Sequence, residues 1–285
     1  LAAAFGSSDV AEQLLDAAAD VNVADATGAT PLLVAAALGH VPAARLLLER
    51  GAQADVLSQR GSSPLLAAAE RGHLELLGLL LSHGADADAA NQVGRTALHL
   101  SLAAGHEGAA RLLLGRGACA NVATQLGHTP LRLAVQGGHA GLARLLLEAR
   151  ADPEVATQAG NTPLHLAAQE GCEELVGLLL EHGARADRAT QTGHAALHFA
   201  AQEGHTGVAA QLLGRGACPG AATLSGHTPL TFAASRGHTE LAQLLLERGA
   251  QPGAASGDGR TPLHLAAAEG HGELVRLLLR RGAET

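Results

Sequence analysis

Residues 157–189 read TQAGNTPLHLAAQEGCEELVGLLLEHGARADRA, and the G-x-T-P-L-H core of this stretch returns every 33 residues along the 285-residue chain. Gly28, Gly61, Gly94, Gly127, Gly160, Gly193, Gly226 and Gly259 mark eight registers, each followed two residues later by a Thr-Pro-Leu-like triplet. Self-similarity at such a period is the mark of a solenoid, in which one small unit stacks on copies of itself.

The unit explains itself locally. Thr162 can cap the first amides of a helix whose opening residue, Pro163, already holds a helical φ. Leu164, Ala167 and Ala168 share one face at three- and four-residue spacing, and the paired alanines let a neighbouring helix approach closely. Gly171 accepts the left-handed conformation that follows a helix end. A second amphipathic run from Glu174 to His182 carries Leu175, Val176, Leu178, Leu179 and Leu180 and stops at Gly183. The segment from Ala184 to Gly193, rich in Ala, Asp, Thr and Gly, predicts a turn-forming finger. Neither helix buries its apolar stripe alone, so the units must stack.

With Gly-His closing helix one and Gly-Ala closing helix two in the same register throughout, the chain resembles the ankyrin repeat family over its whole length. The resemblance implies an all-α dominated repeat solenoid. Each unit would be a helix-turn-helix with a β-hairpin-like finger, stacked into a curved array whose concave face usually binds another protein. The spacing divides the chain into a partial repeat 1–24 and repeats 25–57, 58–90, 91–123, 124–156, 157–189, 190–222, 223–255 and 256–285, expected to form one domain. The first residues align with the middle of helix one and the last repeat looks internal, so the chain reads as an excerpt of a longer protein.

Departures from the pattern carry expectations about stability. Ala97 replaces the proline and Ser101 the first core alanine, both mild changes. Arg150 stands where Gly closes helix two, at a cost of roughly 1 kcal/mol if it is left-handed. In 190–222, Ala195 and Ala196 replace Thr and Pro while Gly207 and Gly214 dilute helix two, which makes this the expected weakest unit.

Composition narrows the function. A net charge of −8 without an Arg-rich run argues against nucleic acid as partner. No apolar run reaches the roughly 20 residues needed to cross a bilayer, and Leu1 to Phe5 has no basic flank of a signal peptide. Cys119, Cys172 and Cys218 lack C-x-x-C spacing and no N-x-S/T site occurs, which points to free thiols in a reducing compartment, the cytoplasm or the nucleus. All nineteen basic residues are Arg. Codon bias explains this better than selection for a lysine-free surface.

Sixteen histidines invite a metal reading, but they sort by register. His40, His73, His106, His139, His205, His238 and His271 follow the helix-one glycine; His99, His165, His198 and His264 end the TPLH motif; His128, His194 and His227 lie in fingers; His83 and His182 end helix two. Equivalent residues one repeat apart should be roughly 8–10 Å distant, too far to share a zinc ion. The expectation is imidazoles bonded to backbone and capping hydroxyls, with no metal and no cofactor. Neither a nucleophile elbow, a Walker loop, a dinucleotide fingerprint nor H-E-x-x-H occurs, and no catalytic residue is assigned.

The sequence therefore predicts a non-catalytic protein interaction module, a scaffold or adaptor acting as a monomeric array. The alternatives are the recognition arm of a larger signalling enzyme or of a ubiquitin-ligase substrate receptor, and a plain spacer. In the family's geometry the partner surface comprises fingers and helix one. Gln59, Gln92, Gln125, Gln158 and Gln191 form one fingertip row; Arg95, His128, Asn161, His194, His227 and Arg260 follow the glycine; Gln136, Gln169 and Gln202 share an exposed helix-one register beside Glu170 and Glu203. Without Tyr or Trp, binding is expected through amide hydrogen bonds and Arg contacts. Asn22, with Leu14 eight residues before, Asp20 two before and Val21 one before, resembles the ankyrin site of the oxygen-sensing asparaginyl hydroxylase. Asn121, preceded by Cys119 and Ala120, is a poorer match.

Overall fold

The computed structural model describes residues 2–284. Seventeen helices and no strand occur among these residues, so the fold is an all-helical repeat array. The chain divides into two compact units, one ending at Ala151 and one beginning at Asp152. The first contains helix Ser8–Asp16 and the pairs Pro31–Leu38 with Val41–Glu49, Pro64–Arg71 with Leu74–Ser82, Ala97–Ala103 with Glu107–Gly115, and Pro130–Gln136 with Ala140–Glu148. The second contains Pro163–Gln169 with Glu173–Glu181, Ala196–Glu203 with Thr206–Gly214, Pro229–Arg236 with Thr239–Glu247, and Pro262–Ala268 with Gly272–Arg280.

Helix one begins as its motif dictates. The capping residue is extended and its hydroxyl accepts the amide three residues on, as in Thr30 to Leu33 (3.3 Å), Ser63 to Leu66 (3.3 Å) and Thr129 to Arg132 (3.2 Å). Within each unit the first helices of successive repeats pack side by side. In the first unit they enclose Leu32, Leu65, Leu98 and Leu131, all fully buried. In the second, Ala167, Ala168, Ala200, Ala201, Ala233 and Ala234 are equally inaccessible, so the small side chains set the close approach. Ser101 keeps its place in this packing because its hydroxyl donates to the Leu98 carbonyl at 2.9 Å.

Two helix-two ends depart from glycine. Arg150 is left-handed (φ 64°), as its register predicts, and Ala18 (φ 63°) shares that register and conformation. Repeat 190–222 still folds without Thr and Pro. Ala195 is extended (φ −89°, ψ 166°) but offers no oxygen, and only the His198 ring nitrogen caps its amide from the other side, at 3.0 Å. Replacing Ala195 by Thr and Ala196 by Pro is expected to raise stability by about 1 kcal/mol, read from urea midpoints. In the parent chain, amides 197–213 should exchange hydrogen faster than 164–180; equal protection would show that the missing cap does not weaken the repeat.

The fingers are tight turns, and among the described residues isolated antiparallel bridges occur only between Ala90 and Thr96 and between Ala189 and Ala195. A polar side chain at the first position closes each turn on itself. Asp25 Oδ1 accepts from Thr27 and Ala29, Asn91 Oδ1 from Val93 and Arg95, and the Thr124, Thr190 and Thr223 hydroxyls accept from His128, His194 and His227. Adjacent fingers are tied by one backbone bond. Gln59 N–H donates to Thr27 and Gln125 to Val93 in the first unit, Gln191 to Ala159 and Leu224 to Thr192 in the second, at 3.0–3.2 Å.

Candidate functional site

The glutamine row has a place in the fold. Gln92 Nε2 donates to the carbonyl of Gln59 (3.4 Å), Gln125 to Gln92 (2.8 Å) and, in the second unit, Gln191 to Gln158 (2.6 Å). A glutamine side chain spans the distance from its own fingertip to the previous one, so the row is a ladder of amide-to-carbonyl bonds. All of Gln92, Gln125, Gln158 and Gln191 remain exposed to solvent along the rest of their side chains.

The histidines have two structural duties. In the TPLH register, Nδ1 of His99, His165 and His198 faces the backbone N–H of residues 96, 162 and 195 at 3.0–3.2 Å. An amide can only donate, so Nδ1 is the acceptor and the proton sits on Nε2. That proton is donated to a carbonyl of the following finger: His128, Arg188 and Ala221 respectively, at 2.9–3.1 Å. Burial pushes His99 down and pushes His165 and His198 down to about 4, because the ring loses water while its one open nitrogen is already occupied. In the Gly-His register the ring lies against the helix-one glycine of the previous repeat, where His205 Nε2 bonds the Gln169 carbonyl (3.0 Å) and His238 that of Gln202 (3.1 Å), while His271 Nε2 is buried without a partner. A Cβ on Gly171 would stand 2.6 Å from the His205 ring, a second reason for glycine there.

Arg132 occupies the TPLH histidine position in repeat 124–156, and its Nε and Nη1 are buried without a hydrogen-bond partner. Burial lowers its pKa. The neighbouring His128 is lowered by burial first and then by the charges of Arg132 and Arg95, so the two arginines hold its ring neutral.

The remaining finger and helix-one residues differ in how much surface they offer. Arg95, Gln136, Gln169, Glu170 and Glu203 are exposed, and Asn161 and Gln202 are half-buried. Gln202 Nε2 donates to Glu203 Oε1 at 3.0 Å.

In the second unit the structure joins residues that sequence reasoning kept apart. Phe199 and Phe232 replace the leucine found at that helix-one position in Leu166 and Leu265, and both stay half-exposed. The His194 ring lies 5.7 Å from each of them and 5.8 Å from the His198 ring; His227 is 5.6 Å from Phe232, and His165 5.7 Å from Phe199. All four histidines come from registers already noted, but the two phenylalanines at the centre were missed. Their signal was available: the chain has only three Phe, and two of them occupy successive copies of one leucine position.

No group of three or more His, Cys, Asp or Glu stands close enough to hold a metal ion among the described residues. No helix there is long and apolar enough to cross a membrane. An open cavity of about 540 Å³ in the first unit is lined by Ala3, Ala11, Leu15, Val21, Val34 and Leu47. Its two carboxylates, Asp20 and Asp25, are engaged by amides of Asn22, Thr27 and Ala29, so it brings no reactive groups together.

A family model described as ankyrin repeats (3 copies) matches residues 1–91, 84–157, 149–223 and 211–285. The chain belongs to the ankyrin repeat family. A search of curated proteins returns no match. Ankyrin repeats are generally non-catalytic modules that bind other proteins; here the fingers and first helices carry polar and aromatic side chains, and the histidines hold the repeats together.

The ankyrin finger also defines the setting of Asn22. Its Oδ1 accepts the N–H of Gln53 in the next repeat at 2.9 Å, and its own N–H donates to Asp20 Oδ1 at 2.9 Å. Asp55, Asp88 and Glu154 make the same bridge 31 residues onward, to the amides of Asp86, Cys119 and Arg185. An acceptor at this position is thus part of how one ankyrin repeat is tied to the next.

Proposed function

We propose that this ankyrin domain is a scaffold or adaptor that holds a partner protein on its finger and helix-one face. The observation that carries this reading is the half-exposed Phe199 and Phe232 pair on helix one, flanked by finger histidines, where other repeats hold leucine. Aromatic surface of this kind is what binding faces concentrate. In the second unit Gln158, Asn161, Gln169, Glu170, Gln191, Gln202 and Glu203 supply polar contacts, and the first unit's own finger and helix-one residues Gln92, Arg95, Gln125, His128 and Gln136 are proposed to do the same on that unit.

The test begins with proximity labelling by the full-length protein, followed by purification of the partner. Alanine at Gln158, Gln169, His194 and Gln202 together should weaken its binding at least tenfold, about 1.4 kcal/mol. None of these side chains donates to another finger, so the fold is spared. Alanine at Glu174 and Glu181 of helix two should leave binding unchanged; the reverse pattern would move the surface to the other face.

A second proposal concerns Asn22. Its sequence setting supports hydroxylation at the side chain, and a hydroxyl on Cβ leaves the bond to Gln53 in place. Protein co-expressed with the asparaginyl hydroxylase is expected to carry one added oxygen at Asn22 by mass spectrometry. An unmodified Asn22 peptide would remove the site.

A further inference from the structure

The fingers of repeats 190–222 and 223–255 carry a device that the other fingers lack. In the first, the Thr190 hydroxyl contacts the Thr192 hydroxyl at 3.1 Å, and Thr192 contacts His194 Nδ1 at 2.9 Å. In the second, Thr223 contacts Ser225 at 3.0 Å, and Ser225 contacts His227 Nδ1 at 3.0 Å. Thr190 and Thr223 accept the amides of His194 and His227 and keep both a hydroxyl proton and a second lone pair, so each hydroxyl chain can run in either direction. When it runs toward Nδ1, and equally when the ring is protonated on both nitrogens, Nε2 is an N–H donor. Neither Nε2 has a hydrogen-bond partner among the described residues. The equivalent middle position is Leu126 in repeat 124–156 and Ala159 in 157–189, which cannot continue such a relay.

The surroundings of these two donors are apolar. Phe199 and Phe232 lie within 5.7 Å of His194, and Leu224, which replaces the fingertip glutamine, is 82% exposed. The ionisable groups that interact with His194 are His165 from the repeat before, His198 on its own helix one and His227 on the next finger, while Arg188, which acts on His165, is paired with Glu154 at 3.4 Å. Arg260 on the finger after that is paired with Asp258 at 3.3 Å. No carboxylate is among the groups that shift His165, His194 or His198. In a chain of net charge −8, two imidazole donors without a protein partner, set beside exposed apolar side chains and with no carboxylate acting on His194, are complementary to an acid set beside an apolar residue.

We propose that the face formed by His194, His227, Phe199, Phe232 and Leu224 docks an extended acidic–apolar segment of a partner protein, with a carboxylate on the two Nε2 groups and an apolar side chain on the phenylalanines. This rests on the finger and helix-one reading above. A carboxylate brought to this site favours the imidazolium form, so binding takes up protons and tightens as pH falls.

The test is a phage-displayed library of random short peptides selected on the full chain at about pH 6, where imidazole is partly protonated. The variants carry residues that neighbouring repeats already hold: Phe199→Leu with Phe232→Leu, and His194→Asn with His227→Asn, after Leu166 and Asn161. Enriched peptides should combine Asp or Glu with Leu or Phe. A synthetic copy of the most enriched peptide should lose about tenfold in affinity per variant pair, and about tenfold between pH 6 and pH 8, the effect of a one-unit pKa change. The histidine pair should abolish the pH dependence, and the phenylalanine pair should leave it. Basic or uncharged peptides that still depend on these residues would overturn the acidic chemistry while keeping the face. Peptides indifferent to both pairs but lost with Glu174→Ala and Glu181→Ala would overturn the face itself. Absence of any enriched peptide would overturn the extended segment.

Discussion

Acidification from neutral pH to about pH 4 is expected to remove about 3 kcal/mol of stability for each of His165 and His198. Both rings are at most 2% exposed, and burial holds their pKa at about 4 in the folded chain against 6.5 for a free imidazole. Above pH 6.5 neither state binds the proton, so nothing is lost. Between 6.5 and 4 the unfolded chain takes it up and the folded chain does not, because Nδ1 faces an amide and Nε2 already donates. The folded state is therefore penalised progressively, and below 4 the loss is complete. Carboxylates held low, such as Asp25 with its Thr27 and Ala29 bonds, add to acid sensitivity in the same direction. The comparison that isolates the imidazoles is a variant with Thr at both positions. Thr231 shows that a hydroxyl there takes the capping amide, from Thr228 at 2.8 Å. Urea midpoints across this pH range should fall much more steeply for the parent than for His165→Thr/His198→Thr; parallel curves would mean that the two rings titrate as free imidazoles.

The fold was legible because each repeat states its own local rules and states them in one register. Thr before Pro, paired alanines and glycine after each helix act within a few residues, so a linear reading captures them, and Arg150 was recognisable as left-handed for the same reason. What stayed hidden depends on residues about one repeat apart. The glutamine row looked like surface offered to a partner, and what the sequence did not show is that Gln92, Gln125 and Gln191 each also donate one amide proton to the previous fingertip. Asn22 looked like a turn residue or a modification site, yet its side chain ties down the amide of Gln53. The aromatic cluster was missed for a related reason. Phe199 and Phe232 stand at a leucine position of the repeat and drew no reading, and only the return of the next finger brings His227 to Phe232. The absence of Tyr and Trp then suggested a purely polar surface, where the folded second unit presents rings of Phe and His instead.

Replacing Gly193 by Ala is expected to cost about 3 kcal/mol, far more than the same change at Gly183. Both glycines are left-handed, at φ 82° and φ 91°, so the intrinsic strain of about 1 kcal/mol is common to them. They differ in what a Cβ would meet. At Gly183 nothing lies within 4 Å. At Gly193 the new carbon would stand 2.8 Å from the Leu224 nitrogen and 3.1 Å from the Thr223 carbonyl carbon, both backbone atoms that no rotamer change can move aside. Relief requires the two fingers to separate, which breaks the Leu224 to Thr192 bond and disturbs the turn that aims His194 and His227. Arg150 gives the internal reference. It already tolerates φ 64° at a helix-two end, so Arg150→Gly should gain about 1 kcal/mol, the size of the strain alone. Urea unfolding of the three variants should therefore order them as Arg150→Gly above the parent, Gly183→Ala slightly below it and Gly193→Ala well below. If Gly193→Ala and Gly183→Ala proved equally costly, finger glycines would be required only for their conformation, and the close backbone approach of neighbouring fingers would contribute nothing to holding the repeats together.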